Sequence, residues 1–252
     1  MSVSARVFLI GAGPGDPDLL TIKAHRLIQS AEVILHDSLV DPRILSLAAD
    51  HAELVDVGKR CGKHSATQTT INQLLVSYAR TGQIVVRLKG GDPMIFGRAT
   101  EELESLAAAN VRCEIIPGIT AATAAAASLQ RSLTQRGIAR SLHFLTGHGA
   151  EGGLPAHDWV SLNRAGGTLV IYMGSQTIAG LASHLIEAGM SPTMPAIAVE
   201  NASLPGQVVT VATISTLPNR LGNPRGPTIL LIGEAMASED EFTAMAAQLV
   251  VG

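Results

Sequence analysis

The sequence predicts an α/β protein of two tandem lobes, and three observations carry that expectation. Along the first half, short apolar runs alternate with segments of helical period, the pattern of a largely parallel sheet with helices on its faces. In the second half the apolar runs follow one another closely, with Pro and Gly between them, which favours a mixed sheet with antiparallel pairs. Between the halves, a basic and polar stretch at 130–140 follows an alanine-rich helix, so the lobes are expected at 1–130 and 131–252.

Taken in order, buried strands are expected at 7–10, 33–35, 54–57, 84–88 and 113–116. Helices are expected at about 18–30, 42–49, 68–80, 98–109 and 119–129. Thr67 can cap the helix that begins near Gln68, and Gly82 follows its last turn at Arg80, the usual chemistry of the two helix ends. The segment 119–129 is half alanine and reads as a helix packed closely in the interior. In the second lobe, strands are expected at 142–146, 168–172, 196–199, 207–212 and 228–232, with a helix at about 176–187. Neither an internal repeat nor a low-complexity tail interrupts this order.

Composition removes several classes of function. With 252 residues, 46% hydrophobic and only 15% charged, the chain is neither disordered nor a solvated coiled coil. A net charge of -3 and 3% aromatics leave no basic excess or stacking platform for nucleic acid. The start, MSVSARVFLIGAG, lacks the long apolar region of a signal peptide, and no stretch approaches the ~18 apolar residues of a membrane span. Cys61 and Cys113 form no CxxC pair, so reduced thiols in a cytoplasmic protein are expected. The eight histidines show no HExxH spacing; no metal site is expected. His36 and Asp37 are neighbours at a strand end, where successive side chains point to opposite faces, so no dyad is expected.

Three glycine-rich loops carry the chemistry. LIGAGPGDPDLLT at 9–21 follows a strand and opens a helix, where α/β sheets bind ligands. As a dinucleotide fingerprint it is poor. Asp16 stands at the third glycine position and Pro14 removes an amide donor, which disfavours a pyrophosphate. A nicotinamide-dependent reductase, with Asp37 as ribose-binding acid, is the rival that this loop leaves open. RLKGGDPMIFGRATEEL at 87–103 offers Gly90 and Gly91 for close backbone approach and Asp92 as a carboxylate. That carboxylate either meets a polar ligand or caps the following turn. IPGITAATAAAASL at 116–129 puts Thr120 at a helix start, where its hydroxyl can cap or touch a ligand.

With HDSLV, VGKR, IYMG, VENAS and GPTILLIGE in the same order, these loops make the chain resemble the uroporphyrinogen-III C-methyltransferases of the tetrapyrrole methylase family. The resemblance runs from about 7 to 236. It implies two α/β lobes with S-adenosyl-L-methionine in the cleft between them and S-adenosyl-L-homocysteine as the product form. It implies cofactor contacts at Pro14, Gly90, Gly91, Asp92, Ile95, Thr120 and Ala121 from the first lobe, and at Met173 and Ala202 from the second. The substrate implied is uroporphyrinogen III, a reduced macrocycle with eight carboxylates, methylated at positions 2 and 7 to give precorrin-2 for sirohaem, cobalamin or haem d1. Acids of that number call for arginine, and Arg98 and Arg136 are the expected partners, with Lys59 and Arg60 further candidates. Arg131, Arg140 and Lys63 read as solvated surface.

For the proton that methylation displaces, the resemblance points to Asp37 as acceptor and Lys59 as donor. Arg98 and Glu101, spaced i and i+3 on a helix, form an alternative set whose ordinary reading is a surface ion pair. The run Ser132-Leu133-Thr134-Gln135-Arg136 departs from the Pro-Leu-Thr-His-Arg common in the family, losing a titratable ring at Gln135. No amino-terminal oxidase and chelatase module precedes the resemblance, so the reaction is expected to stop at precorrin-2. A homodimer is the family's implication.

Overall fold

The computed structural model describes residues 6–58, 67–149 and 152–237. Lys59, Arg60, Cys61 and Lys63 lie outside them. The chain divides into units of residues 1–121 and 122–252, earlier than the expected boundary at 130/131. The reason is packing. Ala122, Ala125 and Ala126 of the alanine-rich helix are buried with Val170, Ile197, Val199 and Leu231 of the second unit, so that helix belongs to the second core.

The first unit holds five strands, β1 (Arg6–Gly11), β2 (Val33–His36), β3 (Glu53–Asp56), β4 (Ile84–Lys89) and β5 (Cys113–Ile116). Their order is β3-β2-β4-β1-β5, and every pair is parallel. Continuous apolar runs suit β2 and β4, whose faces are both covered. The edge strand β3 is instead mostly exposed, with Leu54 47% exposed, and is not the buried strand expected at 54–57. Helices α1 (Ile22–Ser30) and α2 (Pro42–Leu45) bury Ala24, Ile28 and Ile44 against Ile10, Ile34, Val86 and Leu88. On the other face, α3 (Gln68–Arg80) and α4 (Ala99–Ala108) bury Ile71, Leu75 and Leu106 against Leu9, Leu35 and Val85. Each fully buried Leu or Ile here contributes about 1.5–3 kcal/mol.

Local chemistry sets the helix ends. Thr21 Oγ1 accepts from the Ala24 amide at 3.2 Å, so α1 starts later than the expected 18. Pro17–Leu19 is a separate single turn capped by Asp16. Thr67 caps α3 through the Thr70 amide at 3.1 Å, and Gly82 closes it with φ +82°, both as expected. Helix α2 is shorter than the expected 42–49.

Helix α5 (Ala121–Ser128) begins on the last residue of the first unit, and the rest of it lies in the second, with β6 (Leu142–Thr146), α6 (Trp159–Ala165), β7 (Thr168–Tyr172), α7 (Ile178–Glu187), β8 (Pro195–Glu200), β9 (Val208–Thr213), α8 (Leu217–Leu221) and β10 (Thr228–Ile232). The sheet order is β6-β7-β10-β8-β9. Only β6 and β7 pair in parallel; the other neighbours are antiparallel, which is the mixed sheet expected. Helices α6 and α8 have seven and five residues, too short for their period to show in the sequence. Among the described residues, no helix is long and apolar enough to cross a membrane.

The strand order of the first sheet gathers its loops at one edge. Strands β4, β1 and β5 are adjacent, so loops beginning near residues 90, 11 and 117 leave the sheet side by side. Asp37, one residue beyond β2, stands beside β4 at the same carboxyl edge.

Candidate functional site

The three glycine-rich loops join backbone to backbone. Gly13 N–H donates to Gly91 O at 3.1 Å, Gly91 N–H returns to Gly13 O at 2.7 Å, and Ala12 N–H reaches Lys89 O at 2.7 Å. The third loop closes over both. A Cβ on Gly11 would lie 2.6 Å from Gly118 N and Cα and from Gly91 O, and one on Gly118 would lie 2.3 Å from Gly91 O. Only glycine lets three loops approach so closely. Gly91 has φ +69°, and a Cβ there would project into space with no described atom within 4 Å.

Asp92 belongs to this junction in a way the sequence left undecided. Its Oδ1 accepts from the Met94 amide at 2.8 Å, and its Oδ2 accepts from the Gly118 amide at 3.0 Å. The carboxylate caps its own turn and ties the second loop to the third. Leu39, beyond Asp37, packs over the same loop, since a Cβ on Gly90 would sit 2.9 Å from Leu39 Cβ. Pro14, Gly90, Ile95, Thr120 and Ala121 are partly buried around the junction.

Asp37 Oδ1 accepts from the Leu39 amide at 3.0 Å, while Oδ2 lies 3.9 Å from Nη2 of Arg87. The His36 ring meets the Asp37 backbone carbonyl at 3.2 Å, not the carboxylate, so the pair is not a dyad. Behind Asp37 stands a charge cluster that sequence reasoning missed. Glu102, fully buried on α4, accepts from Arg87 Nε at 3.0 Å and from Lys89 Nζ at 3.0 Å on both oxygens. Burial, with Arg87 beside it, pushes the Lys89 ammonium below its ordinary value against the pull of Glu102 and Asp37. The signal in the sequence was two cations at alternate positions of an apolar strand, IVVRLK. Alternation puts both on one face, and a covered face makes them demand a buried acid.

Arg98 and Glu101 form the bidentate surface pair of the ordinary reading. Nε–Oε1 and Nη2–Oε2 are each 2.7 Å, with side chains 59% and 45% exposed. Their bond raises the Arg98 guanidinium above its usual value and holds the Glu101 carboxyl below the usual range. Arg136 is exposed in a turn closed by Gln135 and Ala139. Arg131 is not solvated surface: its guanidinium donates to the carbonyls of Met236 and Ala237. Met173 is 49% exposed, whereas Ala202 is buried in the second core.

Backbone strain marks the same motifs. Among the described residues, seven non-glycine residues have positive φ, and five of them are Phe96, Arg98, Met173, Asn201 and Ser203. These five fall in GGDPMIFGR, IYMG and VENAS; of them only Arg98 stands at a helix end, as the residue before α4, whereas Asn110 and Gln130 follow helix C-termini. Such strain collects at ligand clamps. Among the described residues, no group of three metal-ligating side chains comes together.

The model of the Tetrapyrrole (Corrin/Porphyrin) Methylases matches residues 6–218. A siroheme synthase of Ectopseudomonas mendocina is 45% identical over 240 residues, covering 94% of this chain and 51% of that protein. A chloroplastic S-adenosyl-L-methionine-dependent uroporphyrinogen III methyltransferase of Arabidopsis thaliana is 45% identical over 234 residues, covering 91% of this chain and 63% of that protein. The chain thus spans about half to two thirds of these curated relatives. Among solved structures, the uroporphyrin-III C-methyl transferase of Thermus thermophilus complexed with S-adenyl homocysteine superposes with a TM-score of 0.80 at 40% identity, covering 91% of this chain and 98% of that one.

Proposed function

The chain belongs to the tetrapyrrole (corrin/porphyrin) methylases, and on that premise we propose that it is an S-adenosyl-L-methionine-dependent C-methyltransferase acting on uroporphyrinogen III. It methylates ring positions 2 and 7, by way of precorrin-1, to give precorrin-2. The observation that carries this reading is the glycine junction at the ends of β4, β1 and β5, with open space where a Gly91 side chain would stand. That cradle fits a small cofactor lying against backbone.

Pro14, Gly90, Gly91, Ile95, Thr120 and Ala121 are the residues proposed to line the cofactor in the first unit. Asp92 serves it by holding the second and third loops together, because both its oxygens already accept from backbone amides. In the second unit the proposed contributors are Met173 through its exposed side chain and Ala202 through its backbone, its methyl being in the core. Bound S-adenosyl-L-methionine supplies the methyl group: a ring carbon bonds to it as the sulfur–methyl bond breaks with its electron pair left on sulfur, and the ring then sheds one proton. Asp37 is proposed to take that proton. Supporting this are its position at the sheet's carboxyl edge, a carboxylate 25% exposed, and the typical 10²–10⁴-fold worth of a positioned base. Lys59 remains the proposed donor.

Arg98 and Arg136, both exposed, are proposed to meet substrate carboxylates, Arg98 by exchanging or sharing its bond to Glu101. The reading includes a homodimer in the cytoplasm working on a free small molecule, with neither nucleic acid nor a membrane as partner, and a product available for sirohaem, cobalamin or haem d1. Titration calorimetry tests the cofactor assignment: S-adenosyl-L-homocysteine should bind and NAD should not. Binding of NAD alone would favour the reductase.

A further inference from the structure

Four charged side chains meet at the carboxyl edge of the first sheet. Arg87 and Lys89 are 5% exposed, Glu102 is fully buried, and Asp37 is 25% exposed. Burying such groups is costly, and replacing a buried ion cluster by apolar residues is often neutral or stabilising. Stability therefore gives little reason to keep them beneath the loops. Geometry gives another.

Each nitrogen of the Arg87 guanidinium has its own task. Nε donates to Glu102 at 3.0 Å. Nη1 donates to the carbonyls of Leu88 at 3.0 Å and Leu35 at 3.4 Å. Nη2 faces Asp37 Oδ2 at 3.9 Å. Leu35 lies on β2, two residues before Asp37, so Arg87 bonds the backbone leading to Asp37 and pairs its charge with one side of that carboxylate. Glu102 fixes the fork from behind. It is itself held by Lys89 and, at 3.4 Å, by Gln68 of α3.

We infer that Arg87, locked by Glu102, is a positioning residue that aims the Asp37 carboxylate. This rests on the proposed role of Asp37 as proton acceptor. A planar five-donor fork can serve three directions at once, and a lysine at the same place cannot. A disturbed Arg87 fork would show in the chemical step and not in cofactor binding.

The test is a double-mutant cycle on the whole chain, with uroporphyrinogen III and labelled S-adenosyl-L-methionine. Single-turnover methyl transfer and S-adenosyl-L-homocysteine affinity are measured for wild type, Arg87→Lys, Asp37→Asn and the double variant. Asp37→Asn should lose about 100-fold or more. Arg87→Lys should lose about tenfold with unchanged S-adenosyl-L-homocysteine affinity, and the double variant should be no slower than Asp37→Asn, because coupled residues are not additive. The inference is overturned if Arg87→Lys transfers at the wild-type rate, if its loss multiplies onto that of Asp37→Asn, or if the loss follows cofactor affinity. Should Arg87→Lys fail to fold, Glu102→Gln runs through the same cycle with the same readings. Failure of wild type to methylate uroporphyrinogen III overturns the proposed function itself, and a fully active Asp37→Asn overturns the role on which Arg87 depends.

Discussion

Replacing Gly118 by alanine adds one methyl group where the three loops touch. Its Cβ would lie 2.3 Å from Gly91 O and 2.8 Å from Gly11 Cα, where carbon at ease needs roughly 3.5 Å. Every crowded atom is backbone, so no side chain can swing aside, and the loops must part by about 1 Å. Parting stretches the two Gly13–Gly91 bonds, now 3.1 and 2.7 Å, and the Gly118–Asp92 bond of 3.0 Å. At about 1 kcal/mol net for each, losing two or three destabilises the protein by about 2–3 kcal/mol. For a chain of this length the melting temperature should fall by roughly 5–10 °C. A cradle displaced by about 1 Å should also weaken S-adenosyl-L-homocysteine binding by at least about tenfold. Gly118 has no left-handed φ, so alanine's backbone preference adds nothing, and the effect reads the close approach alone. Wild-type affinity together with an unchanged melting temperature would refute the junction as the support of the cofactor site.

Three further outcomes are expected from the geometry. Asp92→Asn keeps the shape but offers one carbonyl oxygen for two amides, Met94 and Gly118; denaturant melts should show a loss of about 1–3 kcal/mol, with weaker cofactor binding in calorimetry. Arg98→Ala breaks an exposed pair, so stability should change by under ~1 kcal/mol, while turnover of uroporphyrinogen III falls and S-adenosyl-L-homocysteine affinity holds. Burial pushes the Cys113 thiol from its ordinary 9.0 up to about 11, so native protein should resist alkylation at about pH 8 and react once unfolded, as mass mapping would show. The linked stability is fully present below pH 9.0 and is lost as pH climbs through about 11, because the folded state keeps a proton that the unfolded chain has released.

Much of this arrangement was legible in the chain. Strands such as Ile84–Lys89 and Thr228–Ile232 are apolar runs bounded by Gly or Pro, and the motif loops announce themselves by glycine spacing. Less visible were features that depend on what covers a residue. Arg87, Lys89 and Glu102 form a cluster only because α4 lies on the sheet face that Arg87 and Lys89 share. Asp92 turned inward because β5 is the neighbour of β1, which brings Gly118 within its reach. The alanine-rich helix joined the second core because its small residues pack on that unit's sheet, a choice between two apolar partners that periodicity cannot make. Helix α4 begins at Ala99 because Arg98 takes a left-handed turn, φ +55°, which strand and helix patterns do not encode.

The most direct measurement is the mass of the tetrapyrrole formed when the protein is given uroporphyrinogen III and methyl-labelled S-adenosyl-L-methionine under reducing conditions. Two labelled methyl groups on carbon, with one S-adenosyl-L-homocysteine released for each, is the predicted result. An unlabelled macrocycle from protein that binds S-adenosyl-L-homocysteine would contradict it.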